Sequence, residues 1–536
     1  MFSKFFFKKK NNAKITPVEK EAASSSSFEE EEEEEKLKMR VVSLRSIMKM
    51  YGGQRHPKVE SYDVLKSRGE LKEYRYVPPD STTIYISHEW VGTDHPDPDG
   101  TQMYHLLLML ERLQKGEISR TNMLWLHSLI FKQTFSTTSE EWKRVLDPEK
   151  TYIWYDGFCV PKSRREDGFR SIPSYIQRCD FMIILAPGCT HFDRIDPRTK
   201  RKMNLCYRTY RLRARCVFEL FSSFLTTKGK EQARPALLVR SGTGIPNWNS
   251  CIEVWKILVG TSLFECCELN HTTIECRRPL YLVNIESMIK KRARSLFVSN
   301  DYAEARSTLC IREYWCKGLK NHEVQFFNSL DDFREMLRWD ARDNDFIDRE
   351  GFPLLVYASF TNSSRVVQEL LIKIKNIKDL AKRQQIMRAQ VPKRGLPNFG
   401  VTGHFTPLMA AMATSEPEIV SLLLEHGANP LQNDTAKNDA FIFAAFTGRL
   451  NNIKFWLSKF PDWNLEKENN MGIVRLRHTH THAHTHTHTY NSSGTSYSQY
   501  YVWASTSPTR QVSSRSRRID KVFHQFGRIS SYKCMH

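Results

Sequence analysis

Short apolar runs alternate with helical stretches between residue 77 and about residue 320. Runs rich in β-branched and aromatic residues predict strands at 83–87, 151–155, 181–186, 236–239 and 280–283. The third run is almost wholly apolar, as expected of a strand in a sheet that is covered on both faces. Because helical stretches separate the runs, the alternation predicts an α/β domain built on a parallel sheet, and we place this domain at residues 76–320.

A second pattern, wholly helical and internally repeated, occupies residues 322–472. Its middle unit is marked by Pro407, and a similar unit opens at Phe441, about one repeat length later. An earlier copy opens at Pro353, which precedes Pro407 by clearly more than one repeat length. A charged insertion at about 373–399 accounts for the excess. The repetition predicts an all-α stack of helix pairs.

The middle unit has the residue types that such a stack requires. Thr406 is suited to cap the first helix, and Pro407 to occupy its first position. Ala410 and Ala411 allow a paired helix to approach closely, and Gly427 suits the left-handed residue that ends the second helix. This unit resembles the ankyrin repeat, which is about 33 residues long.

The two outer copies depart from the ankyrin pattern. The first has Phe352 in place of the expected threonine, and the third lacks both Thr-Pro and Gly-Ala. About three repeats are expected, close to the minimum for a stable stack. The resemblance implies an extended surface that binds a protein partner. We expect His404 and Asn438, just before the first helices of their units, to contact that partner.

The two ends of the chain differ in composition from these regions. Residues 1–75 contain seven consecutive glutamates, Glu29–Glu35, and residues 473–536 contain six alternating histidines between His478 and His488. The glutamates repel one another and bury no apolar surface, and the C-terminal end is a low-complexity repeat, so both ends are predicted to be disordered tails. Alternating histidines can bind zinc weakly, but a simple repeat with no structural role is the favoured interpretation.

Composition narrows the class of protein further. The 536 residues are 40% apolar and 12% aromatic, enough to form a real core. The 12 cysteines follow no regular pattern, so we expect them to be reduced and the protein to be intracellular. No run approaches the roughly 18 apolar residues of a membrane span, and the N-terminus lacks the apolar core of a signal peptide. These features favour a cytoplasmic protein with no transmembrane segment.

Polar residues follow the predicted strands of the α/β region. Ser87 and His88 end the first strand, and Asp156 follows the second. Ligands of open parallel sheets gather at the carboxyl ends of the strands, so these side chains are expected at one rim. Further along, Cys216 and Glu219 are three residues apart and share one face of a predicted helix.

The ordered set of these segments resembles the TIR (Toll/interleukin receptor) fold over about residues 80–225. The family's Trp-Cys-x-x-Glu-Leu motif corresponds to Arg215-Cys216-Val217-Phe218-Glu219-Leu220, with Arg215 replacing the tryptophan. Some TIR-like domains hydrolyse NAD. The resemblance therefore implies Glu219 as the catalytic carboxylate and Ser87, His88 and Asp156 as residues lining the nucleotide site, with NAD as substrate rather than bound cofactor.

Other interpretations of the same residues remain open. Glu219 can instead pair with Arg213 or Arg215, and many TIR folds only assemble with copies of themselves. Eight cations and no acid lie between Arg198 and Arg215, a patch that can bind nucleic acid or anionic lipid. No nucleic-acid motif accompanies the patch, so a solvated loop is favoured. Cys251, Cys266, Cys267 and Cys276 lack the spacing of a zinc site, and no metal site is predicted.

The sequence thus predicts a TIR-like α/β domain followed by a short ankyrin stack. The favoured function is protein binding by a signalling scaffold, with self-association through the TIR-like domain. The first alternative is an NAD glycohydrolase that uses Glu219. The second is nucleic-acid binding through the basic patch.

Overall fold

The computed structural model describes residues 37–123, 136–196, 199–226, 236–249, 253–264, 276–319, 327, 329–396, 399–465, 467 and 469–470. The chain forms two units, one of residues 1–323 with 397–400 and the other of 324–396 with 401–536. The predicted tails lie outside the described residues up to residue 36 and from residue 471 onward. Within the described ranges, no helix is long and apolar enough to cross a bilayer.

The strands of the described residues all lie in the first unit. The described part of this unit contains β1 (Arg40–Ser43), β2 (Leu71–Glu73), β3 (Thr82–His88), β4 (Arg120–Asn122), β5 (Ser136–Thr138), β6 (Thr151–Trp154), β7 (Phe181–Leu185), β8 (Cys189–Ile195), β9 (Lys202–Leu205), β10 (Ala236–Val239) and β11 (Asn247–Asn249).

Seven of these strands form one sheet in the order β11-β10-β7-β3-β6-β1-β2. The four central strands, β10, β7, β3 and β6, are parallel, and the outer strands pair antiparallel. Ile84 of β3 lies opposite Ile153 on one side and Phe181 on the other, and all three side chains are buried. The carboxyl ends of β3, β6 and β7 therefore lie along one edge of the sheet, as predicted for a parallel α/β domain.

Helices surround this sheet. They are α1 (Leu44–Tyr51), α2 (Tyr62–Ser67), α3 (Thr101–Lys115), α4 (Ser139–Val145), α5 (Asp156–Cys159), α6 (Arg165–Arg170), α7 (Ile172–Arg178), α8 (Tyr207–Tyr210), α9 (Ala214–Leu225), α10 (Glu253–Lys256), α11 (Arg278–Val298), α12 (Tyr302–Cys310) and α13 (Arg312–Trp315). Nearly every side chain of α9 is buried, because this helix packs against β3, α7 and α11.

Two sequence predictions need correction in this unit. The tail predicted for residues 1–75 is wrong over residues 40–73, because β1 and β2 belong to the main sheet. Val41 and Val42 of β1 are fully buried. The strand predicted at 280–283 is also wrong, since these residues lie inside the 21-residue helix α11.

The second unit is helical in its described residues. It contains α14 (Leu330–Met336), α15 (Leu354–Phe360), α16 (Ser364–Lys375), α17 (Leu380–Met387), α18 (Pro407–Thr414), α19 (Pro417–Glu425), α20 (Ala440–Thr447) and α21 (Leu450–Lys459). The pairs α15/α16, α18/α19 and α20/α21 stack side by side, with α15, α18 and α20 in one layer and α16, α19 and α21 in another. Helix α14 packs against α16, and α17 lies in the predicted insertion.

Helix capping explains where the repeated helices begin. The Thr406 hydroxyl accepts a hydrogen bond from the Met409 amide at 3.2 Å, with Pro407 at the start of α18. In the third copy, which lacks Thr-Pro, Asp439 caps α20 in the same way through the Ile442 amide at 3.1 Å. Thr406 and Asp439 are thus equivalent positions of successive repeats.

Buried side chains join successive repeats. The side-chain nitrogen of Asn452, Nδ2, donates to the backbone carbonyls of Ala411, Met412 and Ser415. The Ser415 hydroxyl in turn donates to the Ser359 carbonyl at 2.7 Å. Because each contact satisfies a backbone group of the neighbouring repeat, these bonds fix the spacing of the helix pairs.

Candidate functional site

The carboxyl edge of the main sheet carries a buried polar cluster. Ser87 and His88 are the last residues of β3, Asp156 opens α5 just after β6, and Glu219 lies in the middle of α9. All four side chains are buried. The parallel pairing of β3 with β6 brings the first three together, and the packing of α9 against β3 supplies Glu219.

Ser87 connects Glu219 to a buried tyrosine. The Ser87 hydroxyl donates to Glu219 Oε2 at 2.5 Å and lies 2.6 Å from the Tyr210 hydroxyl. Tyr210 also donates to the Cys216 carbonyl at 3.3 Å. Since Ser87 donates its single proton to Glu219, the Tyr210 hydroxyl donates to both the Ser87 oxygen and this carbonyl or alternates between them.

His88 is held on both sides of its ring. Its Nε2 lies 2.9 Å from Asp156 Oδ1, and its Nδ1 lies 2.7 Å from Gln102 Oε1. Both partners are acceptors, so both ring nitrogens carry protons when these contacts are made. The ring also stacks on Tyr155 at 4.5 Å between centroids. Imidazolium is the form that this arrangement favours.

Arg215 joins the two halves of the cluster. Its Nη2 donates to Asp156 Oδ2 at 2.5 Å, and its Nε donates to Glu219 Oε1 at 3.2 Å. The Trp90 indole also donates to Asp156 Oδ2, at 2.8 Å. The Arg215 side chain is 32% exposed, whereas those of Glu219 and Asp156 are 3% and 6% exposed. A partly exposed guanidinium therefore bridges two buried carboxylates.

Burial and neighbouring charges shift the pKa values of the two carboxyl groups in opposite directions. Burial raises the pKa of Glu219, and the opposing effects of Arg215 and the Ser87 hydrogen bond do not cancel it. Burial alone would also raise the pKa of Asp156, but Arg215 and His88 hold it well below its usual range. Burial lowers the pKa of His88, but the charge and hydrogen bond of Asp156 and the hydrogen bond of Gln102 together raise it above its ordinary value. Asp156 is thus the fixed anion, and Glu219 is the carboxyl that takes up a proton more readily.

The structure brings together Ser87, His88 and Asp156, predicted to line a nucleotide site, and Glu219, predicted as a catalytic carboxylate. The sequence left open whether Glu219 lies beside Ser87 or pairs with Arg213 or Arg215. In the structure Glu219 does both, because it accepts from Ser87 and pairs with Arg215. Both of its oxygens are engaged in this arrangement. A ligand that bonds to either oxygen must compete with Ser87 or Arg215.

Three polar members of the cluster escaped the sequence analysis. Gln102, Trp90 and Tyr210 come from α3, the loop after β3 and α8, and belong to no motif. The only sequence signal for them is position, since Trp90 follows Ser87-His88 closely and Tyr210 lies shortly before the Cys-x-x-Glu segment.

Two cations of the basic segment at 198–215, Arg213 and Arg215, face acidic side chains of the first unit. Arg215 lies in the buried cluster, and Arg213 Nε is 3.8 Å from Glu89 Oε1. Arg198 lies outside the described residues, as do Cys251, Cys266 and Cys267. Cys276 is exposed, and the described residues contain no group of His, Cys, Asp and Glu side chains arranged to hold a metal ion.

The two residues expected to contact a protein partner differ in exposure. His404 is exposed and has a left-handed backbone, φ 63°. Asn438 is buried and donates to Asp434 Oδ2 while accepting from Asn469, so its side chain is committed to the fold. The residue equivalent to His404 is Lys437, which is exposed and also left-handed, φ 61°. The exposed residue equivalent to His404 in the third repeat is thus Lys437, not Asn438.

Comparison with known proteins supports one part of this picture. Residues 403–435 match the family model of the ankyrin repeat, which confirms the middle repeat of the second unit. No curated protein matches the chain significantly. The chain therefore contains an ankyrin repeat, a module typical of protein–protein interaction.

Proposed function

We propose that this protein is an interaction scaffold that binds a protein partner through its ankyrin stack and serves in signalling. The observation that carries the proposal is the ankyrin repeat at 403–435, flanked by helix pairs that stack on it in register. Such stacks present an extended surface formed by equivalent positions of successive repeats. His404 and Lys437 are two such positions, and both are exposed.

The test of this proposal compares partner recovery by matched variants of the full chain. His404→Asn and Lys437→Asn shorten the exposed side chains, and asparagine tolerates the left-handed backbone. The control replaces Lys454 and Lys459, exposed residues of α21, with asparagine. Proteins recovered with each chain from cells are compared by quantitative mass spectrometry. Proteins recovered with the wild type and the control should be lost from the chain that carries both His404→Asn and Lys437→Asn. Equal recovery by that chain and the control would refute the assignment of His404 and Lys437 to the partner surface.

We further propose that the first unit is TIR-like. Its four parallel strands lie across the sheet in the order β6-β3-β7-β10, so the first of them in the chain lies between the second and the third. Helix α9 carries the Cys-x-x-Glu-Leu segment. Self-association through this unit is part of the same proposal. Sedimentation velocity of the full chain over a range of concentrations tests it, and a single monomeric species at every concentration would contradict it.

The convergence of Ser87, His88, Asp156 and Glu219 favours NAD cleavage as a second candidate function. A carboxylate can stabilise positive charge that develops at the ribose carbon. Arg215 opposes this role, because a guanidinium on Glu219 offsets the negative charge that a cationic transition state needs. Displacement of Arg215, for example on assembly, would expose the carboxylate.

Nicotinamide release by three chains tests this candidate. The wild type, Glu219→Ala and Arg215→Trp are incubated with NAD at high protein concentration. Release that Glu219→Ala abolishes and Arg215→Trp increases is the expected pattern. Absence of release from both the wild type and Arg215→Trp would remove the enzyme candidate and leave the scaffold proposal untouched.

A further inference from the structure

The insertion in the ankyrin stack is far more basic than the helices around it. Residues 372–394, here called the basic insertion, contain eight lysines and arginines and a single acid, Asp379. The Asp379 carboxylate caps α17 through the amides of Ala381 and Lys382, which places it at the start of that helix. Its first four residues, 372–375, end the repeat helix α16, and the rest interrupts the repeat, so most of its composition is not dictated by the stacking of helix pairs.

Most cations of the basic insertion are open to solvent. Arg394 pairs with Glu350 at 2.5 Å, and the described part of the structure shows no ion pair for the other seven. Of these seven, the exposed ones are Lys373, Lys375, Lys378, Lys382, Arg388 and Lys393. Arg383 is half-buried and donates to the Lys375 carbonyl at 3.5 Å, which holds α17 near the end of α16.

Two large aliphatic side chains lie among these cations. Ile372, near the end of α16, is 55% exposed, and Leu380, the first residue of α17, is 59% exposed. Lysine and arginine side chains adjacent to exposed aliphatic residues are the composition of segments that lie at a membrane surface. A nucleic acid or an acidic peptide is attracted by the charges alone and gains less from the aliphatic side chains.

We propose that the basic insertion docks this protein on membranes containing anionic lipid. The cations meet the negatively charged headgroups, and Ile372 and Leu380 enter the boundary between headgroups and acyl chains. Clusters of four to eight lysines and arginines are the size that anionic lipid surfaces attract effectively. This docking is a property of the insertion itself and needs neither the protein partner nor the polar cluster of the first unit.

Co-sedimentation with vesicles tests the proposal with the full chain. One set of vesicles is phosphatidylcholine alone and the other contains phosphatidylserine as well. The charge variant is Lys373→Glu, Lys375→Glu, Lys378→Glu and Lys382→Glu. The matched control makes the same change in net charge at four exposed lysines of the first unit: Lys49, Lys58, Lys162 and Lys290. The apolar variant is Ile372→Ser with Leu380→Ser.

The wild type and the control are expected to bind only the vesicles with phosphatidylserine. The charge variant should bind them at least about a hundredfold more weakly, because each cation near an anionic surface contributes roughly a fivefold gain. The apolar variant should lose several-fold. Equal binding by the charge variant and the control, or failure of the wild type to bind these vesicles, would overturn the proposal. So would wild-type affinity in the apolar variant, which would indicate a purely electrostatic site of the kind that binds nucleic acid or acidic peptide.

Discussion

Replacing Arg215 with methionine tests whether this residue balances two buried carboxylates. Methionine keeps most of the length of the side chain and removes its charge. Breaking a buried ion pair costs about 3–5 kcal/mol, but Arg215 is 32% exposed, and water offsets part of that cost. We therefore expect the first unit to lose about 2–3 kcal/mol at neutral pH. Asp156 retains His88 as a cationic partner in the variant. Most of the lost stability therefore comes from leaving the Glu219 carboxylate without a cation.

The stability lost in Arg215→Met should depend on pH in one direction. Burial already raises the pKa of Glu219 in the wild type, and removing Arg215 raises it further. At pH values between the pKa of Glu219 in the unfolded chain and its higher pKa in the folded chain, Glu219 is protonated in the native state and ionised in the unfolded state. Stability therefore falls as the pH rises through that interval. The cost of Arg215→Met should accordingly be largest at neutral pH and shrink as the pH is lowered through the folded pKa.

Hydrogen exchange measured by mass spectrometry isolates the effect within a chain of two units. Peptides that cover α9 should exchange roughly 30- to 150-fold faster in Arg215→Met at neutral pH, the equivalent of about 2–3 kcal/mol. Glu219→Gln in the same chain should restore most of the protection, because it removes the uncompensated charge. A loss that is independent of pH and unchanged by Glu219→Gln would show that Arg215 acts by packing alone.

Three other predictions concern single positions. Thr406→Ala should destabilise the ankyrin stack by about 1 kcal/mol in urea unfolding, and Thr406→Ser by much less, because serine also caps. Gly427→Ala should cost about 1–2 kcal/mol from its left-handed backbone, φ 90°, while Gly188→Ala, with equal free space and no such strain, should be neutral by thermal melting. Asp156→Asn should lower the pKa of His88 below its ordinary value, measured by NMR titration, because burial then acts without its anion.

Much of the first unit could be predicted because the parallel strands are apolar and continuous. The position of Ser87, His88 and Asp156 at one edge follows from the parallel pairing of β3 and β6. The strands of residues 40–73 were missed for a physical reason. Leu37, Val41, Leu44 and Met48 keep helical spacing. Arg40–Ser43 is nevertheless a strand because it pairs with both β2 and β6, which are distant in the chain.

The sequence predicts Ser87, His88, Asp156 and Glu219 as neighbours, but it predicts neither the remaining members of the polar cluster nor its full geometry. Which cation pairs with Glu219 depends on the rotation of α9 against the sheet, and the four-residue spacing from Arg215 makes that pair geometrically available without requiring it. Gln102 and Tyr210 reach the cluster through tertiary packing alone.

In the stack, the register of the third repeat could not be read from the sequence. Matching Pro407 to Phe441 carries His404 onto Asn438. The capping residues Thr406 and Asp439 set a slightly shorter repeat, which carries His404 onto Lys437 instead. Because the third copy lacks Thr-Pro, only the observed cap at Asp439 identifies the equivalent position.

The strand β1 has a consequence for any shortened form of this protein. It covers the outer side of β6, where Val42 lies opposite Ile153 and Ser43 opposite Tyr152. A chain begun at residue 76 would lack β1 and leave the backbone groups of β6 bare, a template on which strands of other molecules add. Oligomers of such a chain would report the missing strand, so tests of natural assembly require residues 37–75.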